Sequence, residues 1–361
     1  MQRMKKSMAI GLVFIALLAL AVGGIVNHPS FGKSPDGERL ERIKRSPNYK
    51  DGMFVNREHT PLMTTNKSRW RVMWDNLTAP KPENIEPSSA VAAVKTDLNT
   101  LDLSRNMAVW FGHSSYLLVV EGRKILVDPV LEVGFPASLM MHPFKGSDIY
   151  APEDIPAVDY LVITHDHYDH LDYGTVRAIR DRVGKVVCPL GVGAHLEHWG
   201  YPEDRIVEMD WDETNALDNS TRVTCLPARH FSGRFLKQNP TLWASFMIES
   251  EKGTTIYIGG DSGYGSHFAE IGERFPNIDL ALLENGQYNT DWRYIHALPE
   301  QQADIIRALH AHHVLPVHHG KFALARHAWN EPLRRLKETV ESDTTSFIIH
   351  AVIGQPVFID E

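Results

Sequence analysis

The sequence predicts an α/β layered domain, and three observations predict it. Apolar, β-branched and aromatic segments crowd the chain from about Met107 onward. Strands come first and strand–helix alternation follows in the second half. Two amphipathic segments with apolar residues at three- and four-residue spacing lie near the C-terminus. A pure β-sandwich or a helical bundle does not fit this order.

Taken along the chain, AVWFGH, SYLLVVEG and KILVDPVL read as a strand and a hairpin, with the hairpin turn at Glu121-Gly122-Arg123. A loop rich in Pro, Gly and Met (132–157) precedes YLVITH, a buried strand that runs into a histidine cluster. TVRAIRDR reads as a short helix, KVVCPL as a strand and HLEHWG as part of a helix. RIVEMDW, RVTCLPA, ASFMIES and TTIYIGG follow as strands, HFAEIGERF as a helix and IDLALLEN as a strand. PEQQADIIRALHAH and WNEPLRRLKETVES are the amphipathic helices. On this reading His310, His312 and His313 sit at a helix end, facing solvent or capping it.

The 361 residues can bury one sizeable core or two small ones, and 43% hydrophobic content excludes wholesale disorder. The net charge of −8 is unevenly spread: residues 1–75 hold 13 Lys/Arg against 6 Asp/Glu, leaving 24 against 39 for the rest. An acidic body argues against nucleic acid as a partner, because phosphate binding needs a basic surface. Cys188 and Cys225 form no C-x-x-C pair, which excludes a zinc ribbon. Both lie in strand-like apolar stretches and read as buried thiols, although an oxidising compartment would permit a disulfide.

Arg3, Lys5 and Lys6 precede an uncharged run of 19 residues, Met8 to Val26. About 20 apolar residues cross a bilayer core as a helix, so residues 1–28 are expected to be a membrane anchor or signal segment. The basic flank predicts a membrane-anchored protein with its body extracytoplasmic, on the periplasmic side of a bacterial cell. Residues 29–100, polar and rich in Pro, Asn, Arg and Lys, read as an extended basic arm packing on the core. Residues 101–361 then form the main domain.

The chemistry concentrates in ITHDHYDHLD, which places His165, His167, Asp169 and His170 within six residues at a strand end. A strand sends 165, 167 and 169 to one side, and a turn can return 170 to the same cluster. Imidazole and carboxylate donors so close together imply an intended cation, with zinc, iron or manganese all suited.

H-x-H-x-D-H is a signature of the metallo-β-lactamase superfamily, which the chain resembles over roughly residues 107–322. Lone candidates follow in the family's order: His230 in LPARHFSGR, Asp261 in IYIGGDSGY and His318 in VLPVHHG. The resemblance implies an αββα sandwich, two mixed β-sheets between helical layers. It also implies two metal ions, most simply Zn2+ with Mn2+ or Fe2+ as alternatives. His165, His167 and His230 would hold one, Asp169, His170 and His318 the other, and Asp261 would bridge them. His319 competes with His318, which better matches the family position. Two such ions can share a hydroxide nucleophile at neutral pH, which Asp169 would orient.

FGHSSYLLVVEGRKILVDPVL, ARHFSGR, HALPEQQ and PVHHGKFAL look like the branch containing N-acylphosphatidylethanolamine-hydrolysing phospholipase D. WFGHSSY (110–116) is also similar to a first-strand motif of the ascorbate-phosphate lactonase branch. By this resemblance His113 and His296 are candidates for the pocket, His113 as a substrate contact and His296 as a proton donor to a leaving oxygen. Tyr288 reads as a substrate contact in a groove or, equally, as a packing residue. Trp292 and Tyr294 are further groove candidates, and Asp128 reads as a carboxylate that supports a ligand. The tip Leu139-Met140-Met141 reads as an apolar flap.

The expected function is a metal-dependent phosphodiesterase of phospholipase D type acting on N-acylphosphatidylethanolamine-like phospholipids. A lactonase or other ester hydrolase on a soluble anionic substrate is the alternative, with Arg229 or Arg234 meeting the anion. A non-catalytic, metal-stabilised envelope protein is the third reading. Expected partners are a phospholipid or other small molecule and, through the N-terminal segment, a membrane; the resemblance also allows a homodimer.

Overall fold

The computed structural model describes Phe14, Leu17 and residues 23–234, 237–340 and 346–359. Most of the apolar run Met8–Val26 lies outside the described residues. Among those described, no helix is long and apolar enough to cross a membrane. The expected membrane-anchored, extracytoplasmic placement is therefore withdrawn, since a span needs about 20 apolar residues in one helix.

The arm is not simply extended. It carries helix α1 (Gly37–Lys44), the short hairpin β1 (Tyr49–Lys50) and β2 (Met53–Phe54), and helix α2 (Arg69–Thr78). In α1, Glu38 lies in the first turn and Arg42 and Lys44 in the last, the order that suits the helix dipole. The prolines on either side hide this helix from a composition-based reading. Ile43 and Phe54 are fully buried in the central core. Arg39 pairs with Glu208 and with Glu197, the latter at 2.8 Å.

The main body alternates by residue along its strands. β3 (Met107–Trp110), β4 (Tyr116–Val120), β5 (Arg123–Val127), β6 (Val158–Val162), β7 (Val183–Pro189) and β8 (Ile206–Met209) form the first sheet. Leu117, Leu126, Leu161 and Val186 face outward onto helices α3 (Tyr173–Ile179) and α4 (Gly193–His198). Leu118, Ile125, Val127, Val162 and Val187 face inward. This two-residue alternation, apolar on both faces, belongs to a sheet covered on both sides.

The second sheet comprises β9 (Thr214–Ala216), β10 (Thr221–Leu226), β11 (Ser245–Ser250), β12 (Thr255–Ile258), β13 (Ile278–Glu284), β14 (Ala311–Val317) and β15 (Phe347–Ile348). Val223, Phe246, Ile256 and Leu280 meet the first sheet. Met247, Tyr257 and Ala281 face helices α5 (His267–Arg274), α6 (Gln302–Leu309) and α7 (Glu331–Val340). Strand β16 (Pro356–Phe358) returns to pair with β3, so both sheets have seven strands, in the orders β16-β3-β4-β5-β6-β7-β8 and β15-β14-β13-β12-β11-β10-β9. Antiparallel hairpins lead each sheet, and the parallel pairs β5·β6·β7·β8 and β12·β13·β14·β15 finish it. The result is the expected αββα sandwich of two mixed sheets between helical layers.

One local expectation changes, and the reading of the two cysteines as buried thiols holds. Helix α6 ends at Leu309 with His310 left-handed at its cap, so His312 and His313 belong to strand β14. The β-branched and apolar run that follows outweighs the helical spacing of the histidines. Cys188 and Cys225 are free, buried thiols, one in the outer helix-facing core and the other between the sheets.

His267 opens α5 and is buried, its Nε2 3.0 Å from Ser262 Oγ. Burial pushes its pKa down from 6.5 to about 3. The unfolded chain thus binds this proton first, so the contribution to stability is full above pH 6.5 and is lost as pH falls toward 3. Replacing His267 with Gln is expected to flatten the loss of stability between pH 6.5 and 4, by roughly 1.4 kcal/mol per pH unit removed. Urea unfolding at stepped pH checks it; parallel slopes for both proteins would rule His267 out as the cause.

Candidate metal centre

The site lies where strands of both sheets end. After β6, the backbone N and Oγ1 of Thr164 donate to the Asp128 carboxylate at 2.8 and 2.6 Å. His170 N and Leu171 N both donate to His167 O, at 3.1 and 2.8 Å, and this turn folds His170 back beside His165 with ring centroids 4.2 Å apart. From the second sheet, Asp261 follows β12, His230 follows β10 and His318 follows β14 directly.

Three of the backbone positions are strained. Asp128, His113 and His318 have φ of 40°, 54° and 66°, a region that costs non-glycine residues roughly 1–3 kcal/mol each. Each sits just past a strand end and turns its side chain into the same cluster. His113 and His318 are tied to one another: His318 N donates to His113 O at 2.9 Å.

Two donor groups result. His165, His167 and His230 bring their nitrogens together, with His165 Nε2 2.9 Å and His230 Nε2 3.2 Å from His167 Nδ1. Asp169, His170 and His318 form a neighbouring group with His113. Asp261 lies between them. Its Oδ2 is 3.9 Å from His165 Nε2, 3.7 Å from His230 Nε2 and 3.2 Å from His170 Nε2, and its Oδ1 is 3.2 Å from His318 Nδ1.

The electrostatics prepare these groups as ligands. Burial pushes His165, His230 and His318 well below the usual imidazole pKa, so each ring stays neutral with one nitrogen unprotonated. Burial would raise the Asp169 and Asp261 carboxyls, but the surrounding imidazoles, His170 foremost, hold both well below the carboxylate range. Burial opposes charge on His170, yet Asp261, Asp169 and Asp128 outweigh it and raise its pKa well above 6.5. Among the described residues, His170 Nε2 and Asp261 Oδ1 are buried without a hydrogen-bond partner. Orphaned polar atoms amid clustered imidazoles and carboxylates, with a proton held on His170 where a cation would take its place, fit a divalent cation of the zinc, iron or manganese kind.

Further groups hold the candidates in place. His170 Nδ1 donates to Asp128 Oδ2 at 2.7 Å and His230 Nδ1 to Ile295 O at 2.8 Å, which turns Nε2 of each toward the centre. His113 is fully buried and its Nε2 donates to Asp169 Oδ2 at 2.9 Å, so it orients Asp169 instead of meeting a substrate. His296 Nδ1 donates to Glu284 Oε2 at 2.7 Å, and Ala297 N holds the other oxygen at 2.6 Å. Burial raises Glu284 to about 7, and the Glu284 charge raises His296 despite burial. His319 packs on Trp110 with ring centroids 4.8 Å apart, its Nε2 lies 3.3 Å from Pro316 O, and it belongs to none of the donor groups among the described residues.

A cavity of about 290 Å³ opens on this centre. His167, Asp169, His230, Asp261, His296 and His318 face it, and Leu62, Met63, Phe231, Trp292, Ile295 and Leu324 form an apolar lip. Tyr288 does not line it: its hydroxyl donates to Glu331 at 2.9 Å and its ring stacks on His327. Tyr294 instead lies under the Arg229 guanidinium, 4.3 Å away. Arg229 is bound to Thr60, His59 and Tyr264, and buried Arg234 to the carbonyls of Ser30, Asp166 and Leu171, so both are committed to backbone and loop contacts. Of the expected flap, Leu139 and Met140 are exposed while Met141 is buried against Val130 and Phe322. Sequence reading missed Leu62, Met63, Phe231, Ile295 and Leu324. The apolar pair inside the polar stretch HTPLMTT was the one local signal.

The family described as the β-lactamase superfamily domain matches residues 123–319, from β5 to the His318-His319 pair. An uncharacterized protein of Mycobacterium tuberculosis (strain ATCC 25618 / H37Rv) is 40% identical over 328 residues, 87% of this chain and 83% of that one. The N-acyl-phosphatidylethanolamine-hydrolyzing phospholipase D 1 of Caenorhabditis elegans is 30% identical over 263 residues, 67% of this chain and 72% of its own length. Among solved structures, CmlA, a diiron β-hydroxylase from Streptomyces venezuelae, superposes with a TM-score of 0.55 at 19% identity, covering 70% of this chain and 54% of that one. At that identity the likeness concerns the fold alone.

Proposed function

Because the chain belongs to the metallo-β-lactamase superfamily and is a metal-dependent hydrolase, we propose that it is a dinuclear phosphodiesterase cleaving N-acylphosphatidylethanolamine-like phospholipids in the phospholipase D sense. We assign one cation to His165, His167 and His230 and a second to Asp169, His170 and His318, with Asp261 shared. When bound, such cations supply Lewis-acid stabilisation of phosphate charge and activate water at neutral pH. The protein residues do the rest. Asp169, oriented by His113 through Oδ2, which keeps a lone pair for the cation, has Oδ1 to orient the attacking water. His296, with Nδ1 taken by Glu284, offers Nε2 to protonate the leaving oxygen.

The observation that carries this reading is one cavity whose floor is the candidate ligand set and whose lip is apolar. Such a lip suits the acyl chains of a lipid, and the Caenorhabditis elegans relative is named for that substrate class. Among the described residues none lining the cavity is Lys or Arg, which weighs against a lactonase for soluble anions.

Hydrolysis of N-acylphosphatidylethanolamine in detergent micelles by the full chain, with metal content measured on the same sample, tests it. Two metal equivalents with release of N-acylethanolamine and phosphatidic acid are expected. Replacing His296 with Gln is expected to lower kcat by roughly 10²–10⁴-fold at unchanged metal content. Two equivalents without lipid turnover would sink the phospholipid reading, and no metal after reconstitution would sink the centre itself.

A further inference from the structure

Leu62 and Met63, half-buried at the cavity lip, come from the N-terminal arm, far in sequence from the other lining residues. The arm crosses the cavity mouth as a strap fastened at both ends. On one side Arg229, the neighbour of His230, donates from Nε to Thr60 Oγ1 at 3.0 Å and from Nη2 to His59 O at 2.9 Å. On the other side Asp291 takes three contacts. Thr64 N donates to its backbone O at 2.9 Å, Thr65 Oγ1 to Oδ1 at 2.7 Å and Lys67 Nζ to Oδ2 at 2.9 Å. Thr64 Oγ1 adds a bond to Thr290 O at 2.5 Å.

Asp291 is buried, and its backbone N is held by Asn289 Oδ1 at 2.9 Å. The next residue, Trp292, lines the same cavity as Leu62 and Met63. A buried carboxylate with both oxygens committed to a segment more than 220 residues away fixes that segment against the mouth. Covering the body alone would not require the two large apolar side chains of HTPLMTT to face the cavity.

We propose that residues 58–67 are a specificity-determining strap, in which Leu62 and Met63 form the wall against which the apolar group of the substrate packs and Asp291 is the positioning residue that fixes it. The proposal rests on the reading of this cavity as the hydrolytic site. Each methylene buried against such a wall strengthens binding by roughly fourfold, so selectivity for long alkyl groups follows from holding the wall still.

The test uses the metal-loaded full chain, with methyl and decyl 4-nitrophenyl phosphate as paired substrates. In the Leu62→Ala/Met63→Ala variant, the ratio of decyl to methyl kcat/KM is expected to fall by about tenfold or more, chiefly through the decyl KM. Asp291→Asn is expected to move the ratio the same way, and Thr65→Val/Lys67→Met does so with the carboxylate left in place, covering the case in which Asp291→Asn fails to fold. An equal loss on both esters, or an unmoved ratio in the double alanine variant, overturns the proposal. Should the wild-type protein cleave neither ester, the phosphodiesterase reading falls, and calorimetric binding of decylphosphonate against methylphosphonate still decides the strap. A tenfold weaker decylphosphonate affinity in the double alanine variant supports it, and an equal affinity overturns it.

Discussion

Replacing Asp261 with Asn is expected to lower metal-dependent hydrolysis by roughly 10³-fold or more and to cut the bound metal to one equivalent or less. The carboxylate is buried, and both oxygens face imidazole nitrogens of the two donor groups at 3.2–3.9 Å. Asn keeps the shape and removes the charge, so the loss reports on electrostatics and not on a cavity. The surrounding imidazoles hold the Asp261 carboxyl well below its usual pKa, so the charge is present at every pH at which the fold persists near neutrality. Metal analysis and kcat/KM on the same preparation check the expectation. A variant that keeps both metal and activity would remove Asp261 from the centre.

Arg234 carries the second large effect, on stability. Its guanidinium is buried, and its Nη1 donates to Asp166 O at 2.7 Å and Leu171 O at 2.8 Å. Nε and Nη2 donate to Ser30 O at 3.0 and 2.6 Å, and the plane lies 4.0 Å from the Tyr168 ring. One side chain thus joins the arm to both ends of the loop that carries His167, Asp169 and His170. Arg234→Met fills a similar volume but leaves three buried carbonyls unpaired, and is expected to cost about 3–5 kcal/mol. Metal affinity should fall by roughly 10–100-fold as the loop loses its anchor. Urea unfolding and metal competition titrations read the two effects. An unmoved unfolding midpoint would mean that the buried carbonyls find other partners.

Much of the architecture was legible in the order of residues because its signals are local. Alternating apolar residues in YLLVV and KILV specify strands buried on two faces, and the register Leu117↔Leu126 with Leu118↔Ile125 follows from the Glu121-Gly122 turn. The spacing of H-x-H-x-D-H likewise brings four candidate ligands within one turn of chain, so covalent geometry alone clusters them. The arm and the histidines after Leu309 were harder. Helix α1 competes with flanking prolines, and His312 and His313 carry helical spacing but pair in parallel within the second sheet.

What the sequence determined by itself is the layered α/β class and the local half of the candidate site. Only the tertiary structure decided which side chains meet across the two sheets. His113 belongs to Asp169, and Tyr288 to Glu331. Arg229 and Arg234 are committed to structural contacts, and the arm supplies part of the cavity lip. Those outcomes turn on pairings between residues tens to hundreds of positions apart. They depend on loop closure and on the desolvation of each polar group in competition with its alternatives. No local pattern along the chain encodes that competition.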